Sequence, residues 1–479
     1  MSEQSCKISC MLRNLVLALL IVDLCSAAGC KGGDKKKEPA KTSVGDPSDA
    51  SMSGRGGLGN GGGISSGGGG GSTTKPDAGD ASTTSMEDAS IDPTDPYAWT
   101  TCTPSDATVA KVDVPFTDES GQALVPSDVG FGIAYRVSPA CDEIHATAVP
   151  AFGEIPLGMP ALGQDTCVIY RDLTMLRVDY NWLLAWVDNS SGSAELYAQP
   201  FDNDFLPVKG ALQVTDNSDM ELRPELTDLA GTPLLSYIVE STSGRSIYTK
   251  RMDSTNDPIA VIKEGDGYEP ARMAVSQLGF TGAALGWVNE AAPSGIYLQP
   301  LKQTGAASGS PIKLSDFAGG GATVDIAIHD RGADTERGGA IVYSIIIGGV
   351  AHEVRFRRLG EDGTPLADER VIIEAPLAAQ GASISSVGDG YVIAYRALPD
   401  GSIITEPQIR LLFATREGNI AHDTAGRPVT YEVAKATLAE GRVTVRMSVE
   451  GQLLISWLDA DPNTGQMVLK YSRRPLNCP

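Results

Sequence analysis

The stretch LLAWVDNSSGSAELYAQPFD at residues 183–202 contains an apolar run that ends in an aromatic residue, a polar turn with glycine, and then an alternating strand. The same arrangement recurs clearly at 233–253, 283–301 and 453–474, and more loosely at 131–149, 340–359 and 391–412. The aromatic residues that mark the seven copies are Tyr135, Trp186, Tyr237, Trp287, Tyr343, Tyr395 and Trp457. Strands that repeat with a period near fifty residues predict a β-propeller.

The parts of each copy fit the strands of a propeller blade. The run before each aromatic, such as 183–187, is continuously apolar, as expected for an inner strand buried on both faces. The next strand alternates: Val354 and Phe356 point one way and Arg355 the other, which is typical of a more exposed outer strand. Short strand candidates between the copies, such as 211–215 and 223–226, would supply the fourth and first strands of successive blades.

We therefore expect an all-β fold, a single seven-bladed β-propeller over residues 97–479. Six or eight blades, and a β-sandwich with two similar halves, are the alternatives. The 54 glycines and 29 prolines suit a turn-rich β protein with a flexible segment, and no extended helical periodicity follows the N-terminal apolar segment.

The charge balance excludes one class of partner. Lys and Arg total 38 and Asp and Glu total 60, so the formal net charge is −22. Nucleic acid, whose phosphates need clustered cations, is not expected as a partner, and neither is electrostatic binding to anionic lipid.

The N-terminus reads as a targeting segment. The apolar run LVLALLIV at 15–22 follows Lys7 and Arg13, which is typical of a signal peptide and too short for a membrane-spanning helix. The sequence Ala-Ala-Gly-Cys that ends at Cys30 resembles the lipobox of bacterial lipoproteins. The resemblance implies a signal peptide over 1–29, a lipid on Cys30, and a membrane partner through that lipid. The alternatives are an ordinary signal cut near Ala28 and a start at Met11.

In the Gram-negative members of that family an Asp after the lipidated Cys favours the inner membrane, so Lys31 implies the outer membrane of the cell envelope. The sequence does not tell which face of the membrane the domain occupies. Residues 30–96 hold a Lys-rich run, five consecutive glycines and a Ser/Thr/Asp/Pro stretch, so we expect a disordered linker behind the lipidated cysteine.

The region 100–479 resembles the repeat propellers of bacterial surface lipoproteins at the level of pattern. No invariant signature accompanies the resemblance: the Asp-box of sialidases, the tryptophan-docking repeat and the Trp-Asp repeat are all missing.

Four cysteines remain for the folded domain, which allows three disulfide connectivities in an exported protein. The last repeat ends after its third strand, so residues 108–116 are expected to supply its missing outer strand. That arrangement places Cys102 beside Cys478, and Cys141 and Cys167 at one end of the first blade. We predict the disulfides Cys102–Cys478 and Cys141–Cys167, with four free buried thiols as the alternative.

Candidate chemistry is sparse. Asp459, Asp461 and Asn463 place oxygen ligands at alternate positions before Gly465, as calcium loops do, although the same slot is an ordinary polar turn in other copies. Calcium is the one cofactor that the sequence suggests. The four histidines, His145, His329, His352 and His422, lie in different repeats. Acidic residues at blade joints, such as Glu221 and Glu269, read as solvated loop charge.

The sequence assigns no catalytic residue. The copies share only structural features with one another, which favours a membrane-anchored binding lipoprotein whose partner, a protein or a glycan, is unknown. The alternative is a propeller enzyme that acts on glycans, a glycoside hydrolase or lyase, which would need charged groups converging from several blades.

Overall fold

The computed structural model describes residues 103–105, 109–116, 122–128, 130–137, 143–150, 159–162, 170–190, 192–263, 265–278, 282–316, 322–329, 337–347, 351–374, 379–388, 390–398, 406–437 and 442–477. The predicted signal peptide, Cys30, the linker and the cysteines at 102, 141, 167 and 478 lie outside these residues. In the part that is described, every regular element is a β-strand, and no helix there could cross a membrane.

The strands form seven antiparallel sheets, and each sheet is one blade. The first three blades consist of β3 (Gln122–Ser127), β4 (Gly130–Val137), β5 (Glu143–Pro150) and β6 (Met159–Leu162); β7 (Tyr170–Val178), β8 (Asn181–Asp188), β9 (Glu195–Phe201) and β10 (Leu212–Gln213); and β11 (Met220–Asp228), β12 (Pro233–Ser241), β13 (Gly244–Arg251) and β14 (Ile259–Ile262). The next three consist of β15 (Pro270–Gln277), β16 (Gly282–Asn289), β17 (Gly295–Lys302) and β18 (Ile312–Ser315); β19 (Thr323–His329), β20 (Gly338–Ile347), β21 (Ala351–Gly360) and β22 (Arg370–Ile373); and β23 (Ala379–Val387), β24 (Gly390–Ala397), β25 (Gln408–Thr415) and β26 (Tyr431–Lys435).

The seventh blade joins the two ends of the chain. It consists of β27 (Val443–Met447), β28 (Gln452–Ala460) and β29 (Met467–Asn477), and two strands from the start of the domain, β1 (Thr103–Pro104) and β2 (Val109–Phe116), pair with β29. The prediction that residues 108–116 complete the last blade is therefore confirmed, and so are the count of seven blades and the all-β class.

The first strands of the seven blades form a closed ring. Each contacts the first strand of the next blade, and β27 of the last blade contacts β3 of the first. The seven repeat aromatics all lie on the second strands and are at most 3% exposed. They anchor a core that lies between neighbouring blades, as in the cluster that packs Leu124 and Phe131 of blade 1 against Leu454 and Leu458 of blade 7.

Side chains of one blade satisfy backbone groups of the next. The Thr174 Oγ1 accepts a hydrogen bond from the Leu226 backbone N–H at 3.1 Å, and Thr227 Oγ1 accepts one from the Gln277 N–H at 3.1 Å. A first strand has no neighbouring strand on its axial side, so its N–H groups need such partners. The small polar residues of the first strands thus hold adjacent blades in register around the axis.

Candidate functional site

An axial channel of about 380 Å³ is lined by residues from the first strands of all seven blades. One position of each first strand lies at the same level, because its cross-strand partner immediately precedes the repeat aromatic in every blade. We call these seven register-equivalent residues the axial ring. They are Ala123, Thr174, Glu225, Ala274, Asp325, Ser383 and Thr444.

Two members of the axial ring break its pattern. Five of the positions carry alanine, serine or threonine, whereas Glu225 in blade 3 and Asp325 in blade 5 carry carboxylates. Two arginines of blade 7, Arg442 and Arg446, lie two residues before and two residues after the ring member Thr444. Charged groups from three separate blades therefore converge on one channel.

Asp325 is bound on both of its oxygens. Its Oδ2 accepts hydrogen bonds from Ser383 Oγ at 2.5 Å, from the Ile384 N–H at 3.0 Å and from Arg446 Nη1 at 3.1 Å. Its Oδ1 accepts one from the Ile326 N–H at 3.0 Å. The side chain is 5% exposed, so this carboxylate is a buried, ion-paired group at the wall of the channel.

Glu225 has fewer partners and is more open. Arg442 Nη1 reaches its Oε1 at 3.5 Å from blade 7, which lies across the axis from blade 3. The side chain of Glu225 is 23% exposed and that of Arg442 is 34% exposed, because both face the channel. This pair spans the channel, whereas the Asp325–Arg446 pair is part of its wall.

The surroundings move the pKa values of the two carboxyls in opposite directions. Enclosure by the blades raises the pKa of Glu225 above its ordinary value, and the lowering effect of Arg442 does not offset this. Burial would also raise the pKa of Asp325, but Arg446, Arg442 and the hydrogen bonds from Ser383 and Ile384 outweigh it, so the pKa of Asp325 is lowered. A protonated acid and an ionised carboxylate therefore lie in one channel.

A small recess opens from the channel beside Glu225. It has a volume of about 50 Å³, and Glu225 and Arg442 line both the recess and the channel. Arg223 of blade 3 and Arg272 of blade 4 complete its charged lining, with Met273, Thr323 and Val324 as the other wall residues. We call Arg223, Arg272 and Arg442 the arginine cluster.

A β-bulge gives Arg223 its position. The register of β11 shifts between Leu222 and Glu225, and Arg223 in the bulge has a φ of 52°, in the left-handed region that a non-glycine residue seldom adopts. Asp172 of the previous blade fixes this conformation, because its Oδ2 accepts the Arg223 backbone N–H at 2.7 Å. Bulges re-aim side chains, and this one directs Arg223 to the recess.

The sequence-predicted calcium residues lie away from the channel, at the turn after β28. Asp459 is fully buried; its Oδ2 accepts Lys470 Nζ at 2.6 Å and its Oδ1 accepts the Thr437 N–H at 2.8 Å. Asp461 Oδ1 accepts the Asn463 N–H at 2.8 Å, as in an ordinary Asx turn. Within the described ranges no three His, Cys, Asp or Glu side chains group to hold a metal ion, and calcium at this turn stays a prediction.

Other residues singled out in the sequence do not line the channel. Glu221 is fully buried between blades 2 and 3, and Tyr268, a candidate for stacking on sugars, packs edge-on against Trp287 and Tyr297 with ring centroids 5.7 and 5.0 Å away. The four histidines lie at separate places: His145 on β5, His329 on β19, His352 on β21, and His422 after β25.

The channel carboxylates were missed at the sequence level, although a signal exists. The axial ring lies 12 residues before the repeat aromatic in four blades, 13 in two and 18 in one. An alignment of the copies on that offset would have shown small residues at most of these positions and a carboxylate at Glu225 and Asp325. The expectation that the copies differ only in structural features is wrong at this level of the channel.

Comparisons with known proteins add the fold but no identity. No protein-family model and no curated protein matches the chain. Solved structures that resemble it include the phage phi92 endosialidase, with 11% identity, 77% of this chain and 69% of that chain covered, and a TM-score of 0.46. An α-L-arabinofuranosidase from Fusarium graminearum has 11% identity, coverages of 65% and 98%, and a TM-score of 0.43. A family-43 endo-arabinanase from Bacillus licheniformis has 13% identity, coverages of 54% and 96%, and a TM-score of 0.31.

All three of these neighbours carry names of enzymes that act on glycans. Their identities to this chain lie below 25% and their TM-scores below 0.5, so they assign no activity to it. What the chain can do must be argued from its own channel.

Proposed function

We propose that this propeller is an enzyme that cleaves glycosidic bonds in its axial channel. The observation that carries the proposal is the pair Glu225 and Asp325, two carboxyls at equivalent ring positions whose environments drive their pKa values apart. Pairs of this kind divide into a proton donor and an ionised partner, which is the division of labour that glycoside cleavage needs.

In this proposal Glu225 is the general acid. It gives its proton to the bridging oxygen as the bond between that oxygen and the anomeric carbon breaks, and the leaving sugar departs as an alcohol. Asp325, held ionised by Arg446, stabilises the positive charge that develops on the remaining sugar ring. A water molecule then bonds to the anomeric carbon and returns a proton to Glu225, so the residue is restored.

A hydrolysis screen against a polysaccharide panel, run with the full chain, tests this function. We expect turnover that Glu225→Gln reduces by at least about 100-fold in kcat, because the amide cannot donate the proton that the leaving oxygen requires. Glu269→Gln is the matched control, since this partly exposed carboxyl does not line the channel. Turnover that survives in Glu225→Gln would contradict the assignment.

Binding without cleavage is the second candidate function. The observation that favours it is the hydrogen-bond shell of Asp325, whose oxygens already accept four donors from the protein. A carboxylate held in this way fits a structural role in a polar binding channel. Glycan binding to the full chain together with no hydrolysis of any bound glycan would favour this candidate over the enzyme.

We also propose that the propeller works at the cell envelope, attached through lipid on Cys30 and placed at the outer membrane. The support is the lipobox-like sequence that ends at Cys30. Metabolic labelling with a radioactive fatty acid should mark the chain, and Cys30→Ser should remove the mark. A labelled Cys30→Ser chain would end this part of the proposal.

A further inference from the structure

The recess beside Glu225 reverses the charge of the molecule. The whole chain has 60 acidic against 38 basic side chains, but the recess lining has three arginines and a single carboxyl. The carboxyl, Glu225, is the one that the proposed mechanism keeps protonated. Placing three guanidinium groups around a space of about 50 Å³ is costly unless an anion enters it.

The three arginines come from different parts of the fold and are held by separate contacts. Arg223 belongs to the bulge of β11 and its Nη1 lies 3.9 Å from Asp172 Oδ1, whereas Arg272 Nη1 donates to the Ala322 carbonyl at 2.9 Å. Arg442 precedes β27 and reaches Glu225 across the channel. No repeat feature of the blades requires this meeting, because the equivalent positions of other blades carry no arginine that lines the recess.

We propose that the arginine cluster binds the carboxylate of an acidic sugar, and that the channel takes the neighbouring part of the same glycan. The fork of a guanidinium matches a carboxylate in two parallel hydrogen bonds, which suits a narrow recess. Because Glu225 and Arg442 line both spaces, a carboxylate in the recess places its sugar ring beside the proton donor. This inference rests on the proposed function and names its substrate class.

Binding to paired oligosaccharides tests the inference. The full chain would be applied to glycans matched in pairs that differ only in a carboxylate against a hydroxymethyl group at C5 of the terminal sugar. We expect the acidic member to bind at least about tenfold more tightly, and Arg223→Gln or Arg272→Gln to weaken its binding about 10- to 100-fold without changing the neutral member. Arg427→Gln, at an exposed outer site that does not line the recess, is the control and should change neither.

The substitution Arg272→Lys keeps the charge and removes the fork, so it separates electrostatic attraction from carboxylate geometry. We expect it to fall between wild type and Arg272→Gln, with an unchanged thermal midpoint. Equal binding of both members of each pair, or tighter binding of sulfated or phosphorylated glycans than of carboxylated ones, would overturn the inference. Its failure is distinct from that of the proposed enzyme, because binding is measured with Glu225→Gln as well: acidic preference without turnover refutes only the enzyme, and turnover without acidic preference refutes only the arginine cluster.

Discussion

Two glutamates of one strand show how far a single residue's surroundings decide its chemistry. Glu221 and Glu225 both lie on β11, but the bulge between Leu222 and Glu225 adds a residue to the strand. Glu221 pairs with Val239 and Glu225 with Ser236, three positions apart, so the two side chains emerge on opposite faces. Glu225 faces the axis, whereas Glu221 faces blade 2 and is fully enclosed.

Glu221 should make the stability of the fold depend on pH. Burial raises its pKa to about 7, and although Asn217 Nδ2 donates to its Oε1 at 2.8 Å, its Oε2 is buried without a hydrogen bond. The folded chain therefore holds a proton that the unfolded chain releases above its ordinary pKa of 4.5. The resulting penalty is absent below that value, grows as the pH rises, and is complete above about 7, where it reaches about 3 kcal/mol.

We predict that Glu221→Gln removes this penalty, because the amide is neutral at every pH. The thermal midpoint of the variant should exceed that of wild type at pH 8, and the difference should vanish as the pH falls toward 4. Thermal unfolding across this range measures it, with the exposed carboxyl variant Glu450→Gln as control. A difference between Glu221→Gln and wild type that stays constant with pH would contradict the prediction.

Asp325 should act in the opposite sense. Its lowered pKa means that its ion pair with Arg446 stabilises the fold above the ordinary pKa of 3.8, and that this contribution is lost as the pH falls through the folded-state value. We predict that Asp325→Asn destabilises the chain at pH 7 by about 3–5 kcal/mol, since it leaves Arg446 buried without its counter-charge. Urea unfolding gives the value.

A double-mutant cycle provides the control for Asp325. Adding Arg446→Met to Asp325→Asn should recover part of the loss, because the uncompensated charge is then gone. Strictly additive effects of the two substitutions would show that the pair is not coupled, against the contacts seen in the channel wall.

At the scale of strands, blades pack through close contacts that leave no room for a methyl group. A Cβ on Gly132 of β4 would lie 2.6 Å from two ring atoms of Trp182 in the next blade. Trp182 cannot yield easily, since it is 2% exposed, stacks on Phe205 at 5.2 Å and carries Arg177 over its ring at 4.5 Å. The glycine is therefore part of the interface between blades 1 and 2.

We predict that Gly132→Ala destabilises the propeller by about 1–3 kcal/mol through overpacking. Gly210→Ala is the matched control, because a Cβ there meets no atom within 4 Å. Chemical denaturation of both variants compares them directly. A Gly132→Ala chain as stable as Gly210→Ala would mean that the blades can separate at little cost.

The strands also explain which features the sequence could predict. The second strands are straight, doubly buried and end in a large aromatic such as Trp287, so their apolar runs repeat visibly and gave the blade count. The first strands carry bulges, as at Arg223, and their distance to the aromatic varies, so the alternation that would reveal a channel-facing residue is lost. The candidate site lies on these irregular strands. Contacts across the axis, such as Arg442 with Glu225, join residues 217 apart and leave no local pattern.

At the scale of the whole molecule, the ring depends on its closure. Blade 7 receives β1 and β2 from the start of the domain, and β2 pairs with β29 from Val109 opposite Ser472 to Phe116 opposite Met467. The closing contact is therefore between the two ends of a long chain, and its formation fixes all seven interfaces at once. Anything that ties these ends together reduces the entropy of the unfolded chain.

The predicted disulfide Cys102–Cys478 would act at this closure. Thr103 pairs with Asn477 and Pro104 with Leu476, and these are the immediate sequence neighbours of the two cysteines. A bond that closes a loop of about 375 residues stabilises by roughly 5–6 kcal/mol in the chain-entropy model, against a smaller value for the short Cys141–Cys167 loop. We predict that Cys102→Ser lowers the thermal midpoint of oxidised protein more than Cys141→Ser does, and that a reducing agent brings wild type below both single variants. Peptide mapping without reduction identifies the bonds, and a link from Cys102 to Cys141 or Cys167 would refute closure by disulfide.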